Sequence, residues 1–264
     1  MYQFNYRKAA SLADAAAKLA EADDGMLMAG GQTLIPTLKQ RLAMPSDVID
    51  LGGIAELTGI QVSADTVTIG AMTTHAAVAA SGDVAGAIPA LAKLAGGIGD
   101  AAVRNLGTIG GSLANSDPAA DYPAAVLGLG ATVATDRREI AADDFFVDLF
   151  ETALEEGEII TSVAFPVPKR AAYMKFPNPA SRYAIVGVFV AETAGGVRVA
   201  VTGAGPCAFR VAEMEAALAD NFAPEAIAGI AVPDDDLNTD IHAAADYRAH
   251  LIGVMAGRAV AAAQ

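Results

Sequence analysis

The sequence predicts an α+β chain made of two domains, and three observations support this. Its 264 residues exceed the ~250 at which a single hydrophobic core tends to stop growing. The run Pro166-Val167-Pro168 marks the expected boundary, which gives domains at 1–168 and 169–264. Beyond it, residues 183–192 and 197–203 are β-branched and alternating. They predict an antiparallel hairpin, with helices packed on the sheet.

Local sequence signals predict the first helix and strand of the N-terminal domain. Ser11 is an N-cap for an amphipathic helix that ends at 23–25. A short strand at 26–29 then runs into Gly30-Gly31, and Pro36 stands where a helical turn could begin.

The middle of the domain combines short elements with a long polar stretch. A strand is expected at 67–70, and Thr73-Thr74 offers an N-cap for a helix over 75–82, with a second helix at 88–95. Residues 96–121 are so rich in Gly, Asn, Asp and Ser that we expect mostly loop. Long ordered loops of this kind are usually functional.

The remaining expected elements complete the chain. A hairpin is expected over 131–134 and 139–141, and a strand over 158–167. Near-helical apolar spacing predicts one long helix from Asp240 to the end.

Composition excludes several classes of function. Hydrophobic residues make up 53% of the chain and charged residues 18%, so a folded core is expected. The net charge of -14 argues against binding to nucleic acid or an anionic membrane, because both need clustered Lys and Arg. A phosphorylated ligand would therefore have to be held mainly by backbone N–H groups.

The cysteine count limits the cofactors of this chain. Cys207 is the single cysteine, so the chain can form no internal disulfide and no multi-thiolate zinc or iron–sulfur site. Any such cluster must lie on another chain. No segment has the ~18 consecutive apolar residues of a membrane span, and the N-terminus lacks a signal-peptide pattern. We therefore expect a cytoplasmic location.

Two glycine-rich loops are candidates for binding a diphosphate. Gly30-Gly31 follows a strand and is flanked by Gln32 and Thr33. The second loop is Thr108-Ile109-Gly110-Gly111-Ser112. Several N–H donors can converge on a diphosphate only where no side chain obstructs them, which glycine allows. Either loop alone could equally be a plain turn.

Two carboxylates follow the second loop. Asp117 stands where it could cap a helix that starts at Pro118, and we assign it that role. Asp121 is then the candidate for ligand contact, since an acid in such a position can accept hydrogen bonds from ribose hydroxyls.

Four segments together carry a family resemblance. They are Ala29 to Pro36, Val103 to Ser112, Gly70-Ala71-Met72-Thr73-Thr74-His75, and the segment from Asp240 to Arg248. In order and spacing they resemble the FAD-binding medium subunits of molybdenum hydroxylases, the family of aerobic carbon monoxide dehydrogenase and xanthine dehydrogenase. The resemblance spans essentially the whole chain.

The resemblance implies a fold, a cofactor and its contacts. The implied fold is a two-lobed FAD-binding domain of the PCMH / vanillyl-alcohol-oxidase-like type, with lobes at about 1–54 and 55–168. FAD would be held non-covalently, with Asp121 on the adenosine side and Lys175 near the isoalloxazine. Asn115 replaces a histidine that many relatives carry. The implied contacts are Ala29, Gly30, Gly31, Gln32, Thr33, Leu34, Thr74, Gly107, Thr108, Ile109, Gly110, Gly111, Ser112, Asp121 and Lys175.

The resemblance also implies partners. A small subunit would carry [2Fe–2S] clusters and a large subunit would carry molybdopterin, in a dimer of heterotrimers. The flavin would pass their electrons to an external acceptor. The missing cysteines agree with this division.

Two other functions stay open at this stage. A single-chain flavin oxidase would need a substrate-binding cap, for which the residues after Pro168 leave little room. A non-enzymatic assembly subunit would be expected to have damaged glycine loops, and these are intact. A nicotinamide site at Gly203-Ala204-Gly205 is disfavoured, because the glycines follow a hairpin rather than a βαβ unit.

Overall fold

The computed structural model describes residues 1–263, which form three main sheets with flanking helices, so the α+β prediction is confirmed. The strands are β1 (Asn5–Lys8), β2 (Gly25–Met28), β3 (Asp47–Asp50), β4 (Ile60–Val62), β5 (Thr66–Gly70), β6 (Thr132–Thr135), β7 (Glu139–Ala141), β8 (Phe146–Asp148), β9 (Glu151–Thr152), β10 (Ile160–Pro166), β11 (Arg170–Pro177), β12 (Ala184–Thr193), β13 (Gly196–Thr202) and β14 (Phe209–Arg210). The helices are α1 (Leu12–Glu21), α2 (Leu34–Lys39), α3 (His75–Ala80), α4 (Gly82–Ala87), α5 (Pro89–Gly96), α6 (Ala101–Leu106), α7 (Ile109–Asn115), α8 (Tyr122–Leu129), α9 (Ala142–Phe145), α10 (Ala212–Asp220) and α11 (Ala245–Ala262).

The N-terminal sheet is small and parallel, in the order β1-β3-β2. Helix α1 connects its two outer strands, and its first turn is closed by Ser11, whose hydroxyl accepts a hydrogen bond from the Asp14 amide at 3.1 Å. This confirms the predicted cap. Strand β2 ends at Met28, so the first glycine loop leaves the sheet at the carboxyl edge of its strands.

The central sheet is antiparallel, in the order β4-β5-β10-β6-β7. Its buried side chains, Val67, Ile69, Val133, Val163 and Phe165, form the largest hydrophobic core together with α3 to α5, α7 and α8. The predicted hairpin over 131–141 and the strand ending near residue 167 are both present.

The C-terminal sheet, β11-β12-β13-β14, is covered on both faces. One face, with Tyr173 and Phe189, packs into the central core beneath α8. The other, with Val188 and Val190, packs against α10 and α11. Close packing explains Gly128 in α8, because a β-carbon there would lie 2.7 Å from the Phe189 ring. The C-terminal sheet is thus part of the central core on one side.

Several predictions about secondary structure are wrong, including the helix at Pro118, where none begins. Residues 96–121 are not mostly loop, since they contain helices α6 and α7, capped by Asp100 and Thr108. The final helix begins at Ala245 rather than Asp240. The Asp240 carboxylate instead accepts hydrogen bonds from the amides of His242 and Ala243, two and three residues on, and so closes a turn ahead of the helix.

None of the helices within residues 1–263 is both long and apolar enough to span a bilayer.

Candidate functional site

A cleft of about 610 Å³ lies where the N-terminal sheet, the central core and the C-terminal sheet meet. One wall is the segment from Met26 to Thr37, which leaves β2 and enters α2. The second comes from the end of α6 and the start of α7. The third is the loop over 181–183, between β11 and β12. The N-terminal sheet, the central core and the C-terminal sheet therefore all contribute residues to this cleft.

The two glycine loops touch each other at the bottom of the cleft. A β-carbon at Gly30 would lie 2.0 Å from the carbonyl oxygen of Leu106 and 2.9 Å from the Cα of Gly107. A β-carbon at Gly111 would lie 3.2 Å from that of Ala29. Real side chains never come as close as the Gly30 distances, so glycine is required there. The loops, far apart in sequence, form one surface.

The first loop supplies unused hydrogen-bond donors. The backbone N–H groups of residues 30–33 donate to no atom of residues 1–263. Gly31 adopts a left-handed conformation, with φ of 69°, of the kind found where successive N–H groups form an anion-binding concavity. These free N–H groups are available to donate hydrogen bonds to a bound anion.

The second loop is built differently. The amides of Ile109 and Gly110 donate to the carbonyls of Thr73 and Ala71, at 3.2 and 2.8 Å. The Gly111 amide donates to the Thr108 hydroxyl at 3.1 Å as part of the helix cap. These donors are used within the protein, so the second loop differs from the first in the backbone N–H groups that it leaves free.

The glycines of the second loop are explained by packing. A β-carbon at Gly110 would lie 2.6 Å from the Ala71 side chain and 2.8 Å from its carbonyl oxygen. The missing side chain lets α7 approach the end of β5. The loop then presents Ser112 and Asn115, one turn apart in α7, to the cleft.

Most of the candidate contact residues lie on the cleft wall. Those that line it are Ala29, Gly30, Gly31, Gln32, Thr33, Leu34, Gly107, Thr108, Gly110, Gly111, Ser112 and Asp121. Three do not. Ile109 is fully buried in the central core, the Thr74 hydroxyl caps α3, and Lys175 lies behind the wall. The role of each residue toward a ligand stays a prediction.

The structure contradicts the helix-cap role of Asp117 and shows which protein groups contact Asp121. No helix begins at Pro118, so Asp117 is not a helix cap; its Oδ1 accepts from the Ala119 amide at 2.8 Å, in a turn. Asp117 lines the cleft, and burial raises the pKa of its carboxyl. Its Oδ2 accepts no hydrogen bond within residues 1–263. Asp117 is therefore a second candidate for accepting ligand hydroxyl donors, one that the helix-cap interpretation missed.

Asp121 is largely engaged by the protein itself. The Tyr173 hydroxyl donates to its Oδ1 at 2.5 Å, and the Lys175 ammonium contacts Oδ1 at 2.9 Å and Oδ2 at 3.2 Å. Burial raises the pKa of the Asp121 carboxyl, and the Lys175 ammonium opposes that rise. A carboxylate has about four acceptor positions, so little capacity is left for a ligand.

Lys175 connects three elements behind the cleft. Besides Asp121, its ammonium donates to the carbonyls of Gly97 and Arg182, each at 2.9 Å. These groups belong to the end of α5 and to the loop between β11 and β12. Lys175 thus fixes the third wall of the cleft onto the central core.

Several lining residues were not among the contacts assigned from the sequence. His75 lines the cleft at the first position of α3, and residues 181–183 reach it from the C-terminal sheet. The left-handed φ of 64° at Arg182 turns that loop inward. His75 had two hints in the sequence, since it directly follows the Thr73-Thr74 cap and ends the 70–75 segment of the family resemblance. Nothing local in the sequence places residues 181–183 at the cleft.

The fold defines a protein with a cleft where the N-terminal sheet, the central core and the C-terminal sheet meet, walled by two glycine loops. The family model described as "FAD binding domain in molybdopterin dehydrogenase" matches residues 2–168. The chain therefore belongs to this FAD-binding family of molybdopterin dehydrogenases.

Relatives of known activity are similar over nearly the whole chain. The nicotine 6-hydroxylase medium subunit of Paenarthrobacter nicotinovorans is 36% identical over 97% of this chain and 95% of its own length. The carbon monoxide dehydrogenase medium chain of Hydrogenophaga pseudoflava is 35% identical, over 99% and 97%.

Solved structures share the fold. A chain of a Cu,Mo carbon monoxide dehydrogenase superposes with a TM-score of 0.89 at 33% identity, covering 99% of this chain and 98% of that one. A chain of quinoline 2-oxidoreductase from Pseudomonas putida 86 gives 0.88 at 31% identity, covering 98% and 96%. The α+β, FAD-binding interpretation of the sequence is confirmed, and the chain is an oxidoreductase subunit.

Proposed function

We propose that this chain is the flavin subunit of a molybdenum hydroxylase. It holds FAD non-covalently in the cleft, receives electrons from [2Fe–2S] clusters on a partner subunit, and passes them to an external acceptor. The observation that carries the proposal is the row of unpaired N–H groups at residues 30–33, set against the second glycine loop.

The cleft suits FAD in its chemistry. A diphosphate is the most negative part of that cofactor, and free backbone donors attract it even though the chain has a net charge of -14. Ser112 and Asn115 add polar side chains beside the second loop. Isoalloxazine supplies the redox chemistry, and the protein supplies binding, orientation and electrostatics.

We assign the cofactor contacts by their place in the cleft. Residues 29–34 provide the diphosphate donors, and residues 107–112 form the opposing surface that fixes the spacing between the loops. Thr74 supports this surface through the isolated bridge that pairs it with Thr108. Asp121 and Lys175 support the wall near the C-terminal sheet.

We propose the following division of the chain. The cofactor domain comprises residues 1–168, in lobes at about 1–54 and 55–168, and residues 169–264 form the C-terminal domain. The separate hydrophobic clusters around Ile49 and around Ile69 support two lobes.

We also propose the partners and location. The similar chains of nicotine 6-hydroxylase and carbon monoxide dehydrogenase are named the medium subunit and the medium chain of those enzymes. By analogy, a small [2Fe–2S] subunit and a large molybdopterin subunit would complete a dimer of heterotrimers in the cytoplasm. With Cys207 as its single cysteine, this chain needs a partner to supply iron–sulfur clusters.

Copurification from the native host tests the proposal. A tagged full-length chain should recover a cysteine-rich partner and a molybdopterin-containing partner, and substrate of the large subunit should bleach the flavin absorbance of the complex. Recovery of a catalytically complete homo-oligomer would instead indicate a single-chain flavin oxidase. Recovery of a colourless chain in an otherwise active complex would indicate an assembly subunit.

A further inference from the structure

His75 is an almost fully buried polar residue on the cleft wall, and the nitrogens of its ring are left without protein partners. Its side chain is 5% exposed, and its backbone amide donates to the Gly107 carbonyl at 2.9 Å. Burial, with a smaller contribution from the Arg104 charge, lowers its pKa to about 4. The ring is therefore neutral near pH 7 and carries one proton.

The two ring nitrogens have different surroundings. Nδ1 is enclosed and has no hydrogen-bond partner among residues 1–263. Nε2 also has none, but it is not among the enclosed polar atoms, and it faces Gly107, where a β-carbon would lie 2.7 Å from it. Nε2 is therefore the nitrogen that a ligand in the cleft can reach.

The proton belongs on Nε2. An orphaned N–H donor is rarer in buried protein than an under-used acceptor. With the proton on Nδ1, an enclosed N–H would be unpaired; with the proton on Nε2, only a lone pair is enclosed, and the N–H faces the cleft. The enclosed Tyr122 hydroxyl, also without a partner in the described chain, belongs to a ring whose centroid lies 5.3 Å from that of His75.

The neighbours of Nε2 indicate what it meets. Gly107 lies between His75 and Gly30, close enough to both to exclude a side chain. Gly30 is the first of the four residues whose N–H groups are unpaired. Nε2 is thus separated from this row of donors by a single glycine, on the surface where the anionic part of the cofactor fits.

We propose that His75 is a positioning residue for the cofactor, whose Nε2–H donates a hydrogen bond to the diphosphate of FAD. The inference rests on the proposed FAD site and adds to the backbone donors a side-chain donor that stays neutral. A neutral donor suits the site because it needs no counter-charge when the cofactor is absent.

The test uses two substitutions that separate the ring nitrogens. In His75→Gln the amide nitrogen can take the place of Nε2, whereas the shorter amide of His75→Asn reaches only the place of Nδ1. The full-length chain is titrated with FAD by flavin fluorescence, and with ADP and riboflavin as probes of the diphosphate and of the ring system. His250→Asn, in the exposed surface of α11, is the matched control.

We expect FAD and ADP to bind His75→Gln within about threefold of wild type and His75→Asn at least about tenfold more weakly, the loss of one hydrogen bond. Riboflavin binding should not change. Equal FAD affinity of both variants and wild type would overturn the role of His75 alone, as would an equal loss for riboflavin. A wild-type chain that binds no FAD would overturn this role and the proposed function together.

A second measurement covers the case in which His75→Asn fails to fold. Nitrogen-15 spectra of the wild-type imidazole should show the Nε2–H tautomer, with the Nε2 resonance shifting when ADP is added. An Nδ1–H tautomer, or an Nε2 resonance unaffected by ADP, would contradict the proposal.

Discussion

At the residue scale, the glycines of this chain have different reasons for lacking a side chain. Gly30 is needed because the backbone of Leu106 approaches it, and Gly110 because Ala71 does. Gly253, in the last helix, has open space where a β-carbon would be. The sequence alone marks all of them as small, and only the packing separates those that build the site.

Gly30→Ala should therefore greatly weaken FAD binding. Its β-carbon would overlap the Leu106 carbonyl at 2.0 Å, so the two loops must separate and the row of donors is displaced. We expect at least about a hundredfold weaker binding in a flavin fluorescence titration, corresponding to about 2.8 kcal/mol. Gly253→Ala is the control and should bind FAD normally. Unchanged affinity in Gly30→Ala would show that the loops do not meet around the cofactor.

The ionisation of Glu158 should make the free energy of unfolding depend on pH. Its side chain is fully buried, and hydrogen bonds from Arg138, helped by the Glu155 amide, lower its pKa from 4.5 to about 2. Since the folded pKa is lowered, this stabilisation is complete above pH 4.5 and is lost as the pH falls from 4.5 to 2.

In wild type, the free energy of unfolding should fall by about 2–3 kcal/mol across that window because of Glu158 alone. Glu158→Gln should be less stable at pH 7 and should lose this part of the acid dependence. Urea denaturation at several pH values measures both. Glu156→Gln, at an exposed neighbour, should keep the wild-type slope; the same slope in Glu158→Gln would contradict the assignment.

At the element scale, the cleft depends on how the C-terminal sheet is held against the central core. Lys175 in β11 reaches Asp121, which precedes α8 by one residue, and the carbonyls at the end of α5 and in the β11–β12 loop. With side chains 12% and 4% exposed, the pair is shielded from solvent. Replacing one member of such a shielded ion pair by an uncharged residue is strongly destabilising, because the other charge stays buried without a partner.

Lys175→Met should lower the free energy of unfolding by about 3 kcal/mol, and Asp121→Asn added to it should restore part of the loss. The matched control is Lys169→Met, since Lys169 pairs with Glu192 while 72% exposed. That exposed pair should contribute less than about 1 kcal/mol. Urea denaturation measures the free energy of unfolding of each variant. Similar losses in Lys175→Met and Lys169→Met would argue against a shielded pair between the C-terminal sheet and the central core.

The same scale shows which elements the sequence could predict. Ser11 and the alternation over 184–202 are local signals, and both gave the right elements. Helices α6 and α7 were missed because they are six and seven residues long. Their sequences show no clear amphipathic stripe, and Gly110 and Gly111 are poor helix formers. They are held by caps and by contact with Ala71, and the latter is a tertiary effect.

At the scale of the whole molecule, the sequence predicted the cofactor better than it predicted the site. The glycine loops and the net charge indicated a diphosphate held by backbone N–H groups, and the resemblance of four segments to a known family implied FAD. Ligand contact by Asp121 stays a prediction; the sequence could not show its pairing with Lys175, 54 positions away, because only the folded chain brings the two together. The same holds for residues 181–183, which reach the cleft from another sheet.

The measurement that tests the central claim most directly is the flavin content of the purified full-length chain. Denaturation should release FAD intact, because binding is non-covalent, at close to one cofactor per chain after the protein is saturated with FAD and freed of excess. A colourless chain that fails to take up added FAD would contradict the account, whatever partners it was recovered with.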